Sequence, residues 1–411
     1  MVYMLIHYHI CSSKERIIVF KKKSLALVLM IALVLSLTGC DYEIRKKTDS
    51  SGMYDKEVED KVEEINAYID IYYYFETDEE TQEEAVYDGI MAGLDDPYSV
   101  YYTAEEYADL MEESSGEYVG IGAVVTQGEN KAVTIVRPVP GSPAEEIGLM
   151  AEDIVVQVGD VEVTDQDLQS IVDMIRGDEG TKIYIKIYRP SANEYMEFDV
   201  TRRKVENVTV YSEMLEDNIG YIQVQQFYDN TDEEFITAVK DMQSKNVKGI
   251  IVDVRDNPGG LLTSVVNMCD FIMDEGPILT TKDKNGKIIQ KYDSTDKESL
   301  DIPMVVLVNG NSASASEIFA GALKDTGKAE LVGTTTFGKG IVQSVLPLSD
   351  GTAIKLTVAK YFTPAGHDIH EVGVEPDYIV ELPDGKGSAV NIERENDTQL
   401  DKAIDIIYQM N

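Results

Sequence analysis

Three segments of this 411-residue chain carry residues that could do chemistry. Asn309-Gly310-Asn311-Ser312-Ala313-Ser314-Ala315-Ser316-Glu317 follows the apolar run Val305 to Val308 and precedes a helical stretch, Ile318 to Leu323. A serine at such a strand-to-helix turn lies at a helix N-terminus, where unpaired N–H groups and the dipole favour negative charge. That suits an alkoxide nucleophile and a tetrahedral oxyanion, with the Ala315 N–H as a donor. The same residues, Ser314-x-x-Glu317, also spell a capping box that requires no chemistry. Thr336-Phe337-Gly338-Lys339-Gly340-Ile341-Val342-Gln343 sets a lysine between glycines and ahead of apolar residues. Burial would lower its pKa from ~10.4 toward neutrality, as a general base requires. A solvated turn lysine is the alternative. Asp253-Val254-Arg255-Asp256-Asn257-Pro258-Gly259-Gly260 places paired glycines after a strand, where their N–H groups can approach a developing oxyanion. A plain strand-to-helix turn would use the same residues.

Other chemistries fit less well. Gly333 to Lys339 imitates a phosphate-binding loop, but residue 340 is Gly, so the hydroxyl that would hold magnesium is missing. Of four histidines, His7 and His9 fall in the leader, leaving His367 and His370 in a turn-rich stretch with no supporting motif. Ser294 to Lys297 lacks the partner motifs of the penicillin-binding enzymes. Asp325-Thr326-Gly327 occurs once where an aspartic dyad needs two. Of three cysteines, only Cys269 lies in the folded body, too few for a disulfide or a zinc cluster. The expectation is therefore no metal and no cofactor. A net charge of -39 argues against nucleic acid as a partner.

The elements that must position these residues follow from the patterning. The chain reads as an α/β multidomain protein. Residues 57–115 form an N-terminal helical segment, with Val58, Val62, Ile65 and Ile69 at helical spacing and Pro97 ending a second helix. Residues 116–204 are β-rich with glycine punctuation. Residues 205–385 alternate strands and helices, including the continuous apolar strand Gly249 to Val254, a pattern expected of strands buried on both faces. Residues 386–411 are a C-terminal helical tail.

The β-rich region resembles a PDZ domain in its order of elements. The signature runs from Gly148-Leu149 through Asp153-Ile154-Val155 to Val158-Gly159. A helix is expected over Asp165 to Arg176. Gly120 and Gly122 allow backbone N–H groups to converge on a carboxylate, Ile121 and Ala123 would line the pocket, and a peptide could add as a strand beside it. Residues 1–39 read as a signal peptide: Lys21 to Lys23, an apolar run from Leu25 to Leu35, then Leu37-Thr38-Gly39-Cys40. That ending resembles a bacterial lipobox, which implies lipidation of Cys40, a tether over 40–56 and a body on the outer side of the bacterial membrane. An uncleaved membrane anchor is the alternative.

Ser312 to Ile318, followed by Gly338-Lys339-Gly340, resembles the active-site region of C-terminal processing peptidases, the tail-specific, PDZ-containing Ser/Lys proteases. The likeness extends from about Glu84 to Val380. It takes in Leu94-Asp95-Asp96-Pro97-Tyr98-Ser99, Arg255 to Gly260 and Gly373-Val374-Glu375-Pro376-Asp377. It implies Ser314 as nucleophile, Lys339 as base, Gln343 as the residue orienting the lysine, and Ala315 and Gly259 as oxyanion donors, with Gly260 a second candidate. It implies protein or peptide substrates with free apolar C-termini, and a relay from the PDZ domain in which Arg176 could act. The doubled aspartate at 95 and 96 is expected to have no catalytic bearing. The helical segment suggests a homodimer. A silent PDZ lipoprotein would have no reason to keep Ser314, Lys339 and Gln343. A hydrolase using His367 or His370 would not need Lys339.

Overall fold

The computed structural model describes residues 56–411 apart from 129–130, 165, 296–299, 384–386 and 390–391. The signal segment, Cys40 and all but the last residue of the tether therefore lie outside the described residues. The chain divides into two compact units, residues 1–82 and 83–411. In the first, helix α1 (Lys56–Tyr72) is followed by the start of α2 (Glu79–Ala92). No residue of α1 is buried, and Val62, Ile65 and Tyr72 are exposed.

The second unit continues with β1 (Val100–Tyr102), α3 (Ala104–Ser115) and β2 (Glu117–Gly120). The PDZ-like sheet then follows. It comprises β3 (Ala123–Gln127), β4 (Val133–Pro138), the short α4 (Pro143–Glu146), β5 (Ile154–Val158), β6 (Val161–Glu162), α5 (Leu168–Ile175), β7 (Lys182–Arg189) and β8 (Glu194–Thr201). Its strand order is β3-β4-β5-β7-β8, closed over a core that includes Ile135, Val155, Ile171 and Ile187. Helix α5 starts at Leu168, later than the apolar spacing predicts, because the Asp167 carboxylate caps it through the Ser170 N–H at 3.0 Å. Buried Arg189 fixes this domain by gripping Asp153 with two hydrogen bonds of 2.7 Å. Strand β9 (Arg203–Glu206) pairs back onto β2.

The chain then enters a six-stranded sheet. It begins with β10 (Val210–Leu215), β11 (Ile219–Val224) and β12 (Ile250–Asp253), with α6 (Thr231–Ser244) before β12 and α7 (Leu262–Ile272) after it. A hairpin of β13 (Gly276–Lys282) and β14 (Ile288–Ser294) interrupts it before β15 (Met304–Val308), α8 (Ala315–Asp325) and β16 (Glu330–Gly333). The order is β10-β11-β12-β15-β16 and a last short strand, with β11, β12, β15 and β16 parallel. Every residue of β12 and β15 is buried. Helices α6, α7 and α8 cover one face. The segment then runs through β17 (Ile341–Pro347), β18 (Ala353–Phe362) and the sheet's edge strand β19 (Tyr378–Ile379) to α9 (Thr398–Met410), which covers the other face through Leu400, Ala403, Ile406 and Ile407. Strand β18 is the centre of a separate antiparallel sheet with β1, β13, β14 and β17. Two loops at the carboxyl ends of parallel strands, after β12 and after β15, therefore meet the start of β17. Such carboxyl ends are where open α/β sheets hold their ligands.

Candidate active site

The three serines of the Ser312–Ser316 turn do different work. Ser312 Oγ donates to the Val254 carbonyl at 2.8 Å, and Ser316 Oγ to the Asn257 carbonyl at 2.9 Å. Both are fully buried and stitch this turn to the loop after β12. The Ala313 N–H adds a third stitch to the Asn257 carbonyl at 3.0 Å. Ser314 stands apart: it is half-buried and lines a cavity of about 180 Å3 with Gly260, Leu262, Ala315, Ile318 and Val342.

Ser314 also has the backbone of a strained turn, with φ 54° and ψ -111°. An ordinary helix cap is extended instead. A non-glycine residue held this way costs about 1–3 kcal/mol and persists only where its surroundings dictate it. The surroundings here are Glu317 and Tyr361. Glu317, fully buried on α8, accepts the Ser314 N–H at 2.9 Å on Oε2. This is the cap the sequence suggests. The same Oε2 also accepts the Lys339 N–H at 2.8 Å, while Oε1 accepts Thr336 Oγ1 at 2.6 Å and the Gly338 N–H at 2.7 Å. Four donors converge on a group with acceptor sites for all of them. From the opposite side, the Tyr361 hydroxyl on β18 lies 3.0 Å from the Ser314 carbonyl oxygen and 2.6 Å from that of Lys339. One carboxylate and one phenol thus tie the backbones of Ser314 and Lys339 together.

The glycines flanking Lys339 have a steric cause. Gly338 has φ +92°, and a Cβ at Gly340 would lie 2.5 Å from the His370 nitrogen. The 370–372 turn packs directly on this stretch, with the Glu371 N–H donating to the Gly338 carbonyl at 2.7 Å. Burial holds the Lys339 ammonium below the usual lysine pKa, and the positive charge of Lys355 adds to this; Asp96 and Glu317 oppose it. Its Nζ lies 4.5 Å from the centroid of the Tyr98 ring. Among the described residues it makes no hydrogen bond to Ser314. Gln343 donates its side-chain amide to the Tyr98 carbonyl. Asp96 reaches Lys339 only as one of the two opposing charges. Tyr98 was quoted in the sequence only within the Leu94–Ser99 string and given no role, and Lys355 and Tyr361 were not singled out. The one available signal was the Asp-Pro-Tyr-Ser string, which reads as a helix-ending turn.

The loop after β12 brings its glycines against the serine. A Cβ on Gly259 would stand 2.8 Å from the Ser314 Cβ and 3.0 Å from the Ala315 nitrogen. The Gly259 N–H is donated to Asn257 Oδ1 at 2.9 Å. The N–H groups of Ala315 and Gly260 make no hydrogen bond among the described residues. Behind the loop, Arg255 is buried and held by Asp253 and by Asp397 at the start of α9. His367 is exposed beside Asp325, and His370 lines a cleft with Asp96 and Tyr98.

In the PDZ-like domain, Tyr118, Gly120, Ile121, Gly122 and Ala123 line an apolar cavity of about 240 Å3 with Ile175. The N–H groups of Ile121 and Gly122 make no hydrogen bond among the described residues. Gly122 has φ +76° and meets Ser142 so closely that a Cβ would fall 2.2 Å away. Arg176 borders the same cavity, with its guanidinium carbon 5.6 Å from the Tyr118 ring centroid and Nη1 3.7 Å from Glu112. Its Nε is buried without a partner. Tyr118, half-buried, has its hydroxyl pKa pushed up by desolvation.

Comparison with known proteins agrees with this layout. Residues 218–380 match peptidase family S41, and residues 134–189 match a PDZ domain. The carboxy-terminal processing protease CtpA of Bacillus subtilis (strain 168) is 37% identical over 359 residues, 87% of this chain and 76% of the relative. The carboxy-terminal processing protease CtpB of the same organism is 36% identical over 332 residues, 79% of this chain and 68% of the relative. A solved S41 protease structure from Bacteroides fragilis NCTC 9343 covers 83% of this chain and 93% of its own at a TM-score of 0.50 and 16% identity, a likeness of fold. The chain belongs to peptidase family S41 and is a serine-type carboxy-terminal processing protease with a PDZ domain.

Proposed function

We propose that this protein is an extracytoplasmic endopeptidase that cleaves protein substrates near their C-termini, with Ser314 as nucleophile and Lys339 as general base. The observation that carries this reading is the shared tie of Glu317 and Tyr361 between the two backbones. Neutral Lys339 takes the Ser314 proton as Oγ attacks the scissile carbonyl. The oxyanion is received by the Ala315 N–H and by the glycine loop. Gly259 serves there if Asn257 releases it, and Gly260 has its N–H already free. Lys339 then returns the proton to the leaving amine, and water releases the acyl group. Gln343 orients the lysine. The small cavity beside Ser314 takes the side chain on the acyl side of the bond.

The PDZ cavity is the receiver of the substrate's C-terminus. The carboxylate sits on the N–H groups of the Gly120–Ala123 turn, and an apolar last side chain enters the cavity. Arg176 relays occupancy, since a carboxylate offers its unpartnered Nε an acceptor and competes with Glu112. A quenched peptide with an apolar C-terminus should be cut faster as the free acid than as the amide, and Ser314→Ala should abolish both rates. Arg176→Ala should bring the acid and amide rates together. Equal rates in the parent enzyme would sink PDZ gating, and an unchanged ratio in the variant would remove Arg176 from it.

A lipid on Cys40 would anchor the body to the membrane, and the exposed apolar residues of α1 would pair two copies. Among the described residues no helix is long and apolar enough to cross a membrane. A chain truncated to residues 83–411 should leave the membrane fraction and elute at monomer mass. Membrane retention would refute the anchor, and the same oligomeric state as the 41–411 body would refute the dimer.

A further inference from the structure

Tyr98 touches both residues that the proposed dyad needs beside its serine. The Lys339 ammonium lies 4.5 Å from its ring centroid, and its carbonyl accepts the Gln343 amide. The segment is tied down by hydrogen bonds. The Asp96 carboxylate takes the Tyr98 N–H at 3.0 Å and Ser99 Oγ at 2.6 Å, and Ser99 Oγ takes the Thr357 N–H of β18 at 3.1 Å. The next residue, Val100, enters β1 opposite Lys355. We propose that Tyr98 is a positioning residue for catalysis: its ring holds the Lys339 ammonium and its carbonyl holds Gln343. This rests on Lys339 being the base.

The chemistry follows from the ring's quadrupole. A cation over an aromatic face is stabilised, whereas the neutral amine is not. The ring therefore favours protonated Lys339, as do the charges of Asp96 and Glu317, against burial and Lys355. Removing the ring weakens the lysine's hold on its proton, so the neutral base is present at lower pH.

The test is the pH dependence of kcat/KM on the quenched peptide, using the full chain with Tyr98→Leu, Tyr98→Phe and Tyr98→Trp. Leucine should move the acidic limb down by about 0.5–1 pH unit. Phenylalanine, which keeps the ring, should hold the limb near its original position, and tryptophan should move it up. An unmoved limb in both the leucine and tryptophan variants overturns the proposal. So does a phenylalanine limb displaced as far as the leucine one, since the hydroxyl would then be responsible. If the leucine variant does not fold, the phenylalanine and tryptophan limbs decide. Failure of the base assignment shows separately, as cleavage that survives Lys339→Ala.

Discussion

Replacing Lys339 with alanine should lower kcat/KM for peptide cleavage by roughly 10^4-fold or more, the scale seen when a member of a serine-protease triad is removed. Ser314→Ala should cost as much. The double variant should be little worse than either single one, because residues acting in one proton transfer are not additive. Circular dichroism melting must show that both variants fold. Cleavage surviving in Lys339→Ala would overturn the mechanism and return attention to His367 and His370.

The acid limb of the pH profile offers a sharper test than a lost rate. A general base must be neutral, so kcat/KM rises with pH as Lys339 loses its proton. Burial, and then the charge of Lys355, hold that pKa below the ordinary lysine value. Lys355→Met removes the second influence, so Lys339 should keep its proton to higher pH and the limb should move up. This is opposite to the shift expected for Tyr98→Leu. A limb that moved down with Lys355→Met would show that the titrating group is not Lys339.

Ser314 and Lys339 stood out as candidates in the sequence because each sits in a turn next to an apolar run. A helix cap and a turn lysine fit the same residues, and it was the family resemblance that gave them roles. The PDZ-like order was legible because its turns punctuate short strands. What the sequence hid were residues whose role depends on contacts far along the chain. Tyr361 lies in the middle of β18 in an alternating strand and reads as core, which it also is. Tyr98 comes beside Lys339 because β1 pairs with β18, the strand that also pairs with β17 and carries Lys355, and no local pattern announces the pairing of β1. Glu317 was visible as a cap for Ser314, but its bond to the Lys339 N–H crosses from α8 to the stretch before β17. Helix limits show the same division. Helix α8 begins at Ala315 rather than Ile318 because Ser314 and Glu317 close its first turn. The apolar spacing marks only the part that packs.

Glu317→Gln should damage this enzyme severely, though less than loss of a dyad residue, and it should do so although Glu317 touches no substrate in the proposed mechanism. The change preserves shape and replaces one acceptor oxygen with an NH2 group. If that group takes the Oε2 place, it faces the N–H groups of both Ser314 and Lys339. If it takes the Oε1 place, it faces the Gly338 N–H, and only the Thr336 hydroxyl can turn to accept. Either way at least one buried N–H is orphaned, at about 1–3 kcal/mol, with a further loss from weakening charge-assisted bonds. The geometric effect falls on the two backbones that carry the reaction. Misplacement by about 1 Å can cost roughly 10^2-fold in rate. The expected result is a folded but less stable enzyme with kcat down by roughly 10^2-fold or more. Tyr361→Phe removes only the hydroxyl that reaches the Ser314 and Lys339 carbonyls, so its loss should be smaller, about 10- to 100-fold in kcat. In both variants the PDZ cavity is untouched, so the preference for a free-acid peptide over its amide should persist. A Glu317→Gln enzyme with normal kcat and a lowered melting temperature would reduce the carboxylate to a helix cap. A low kcat with the acid preference intact would mean that the carboxylate holds serine and lysine in register.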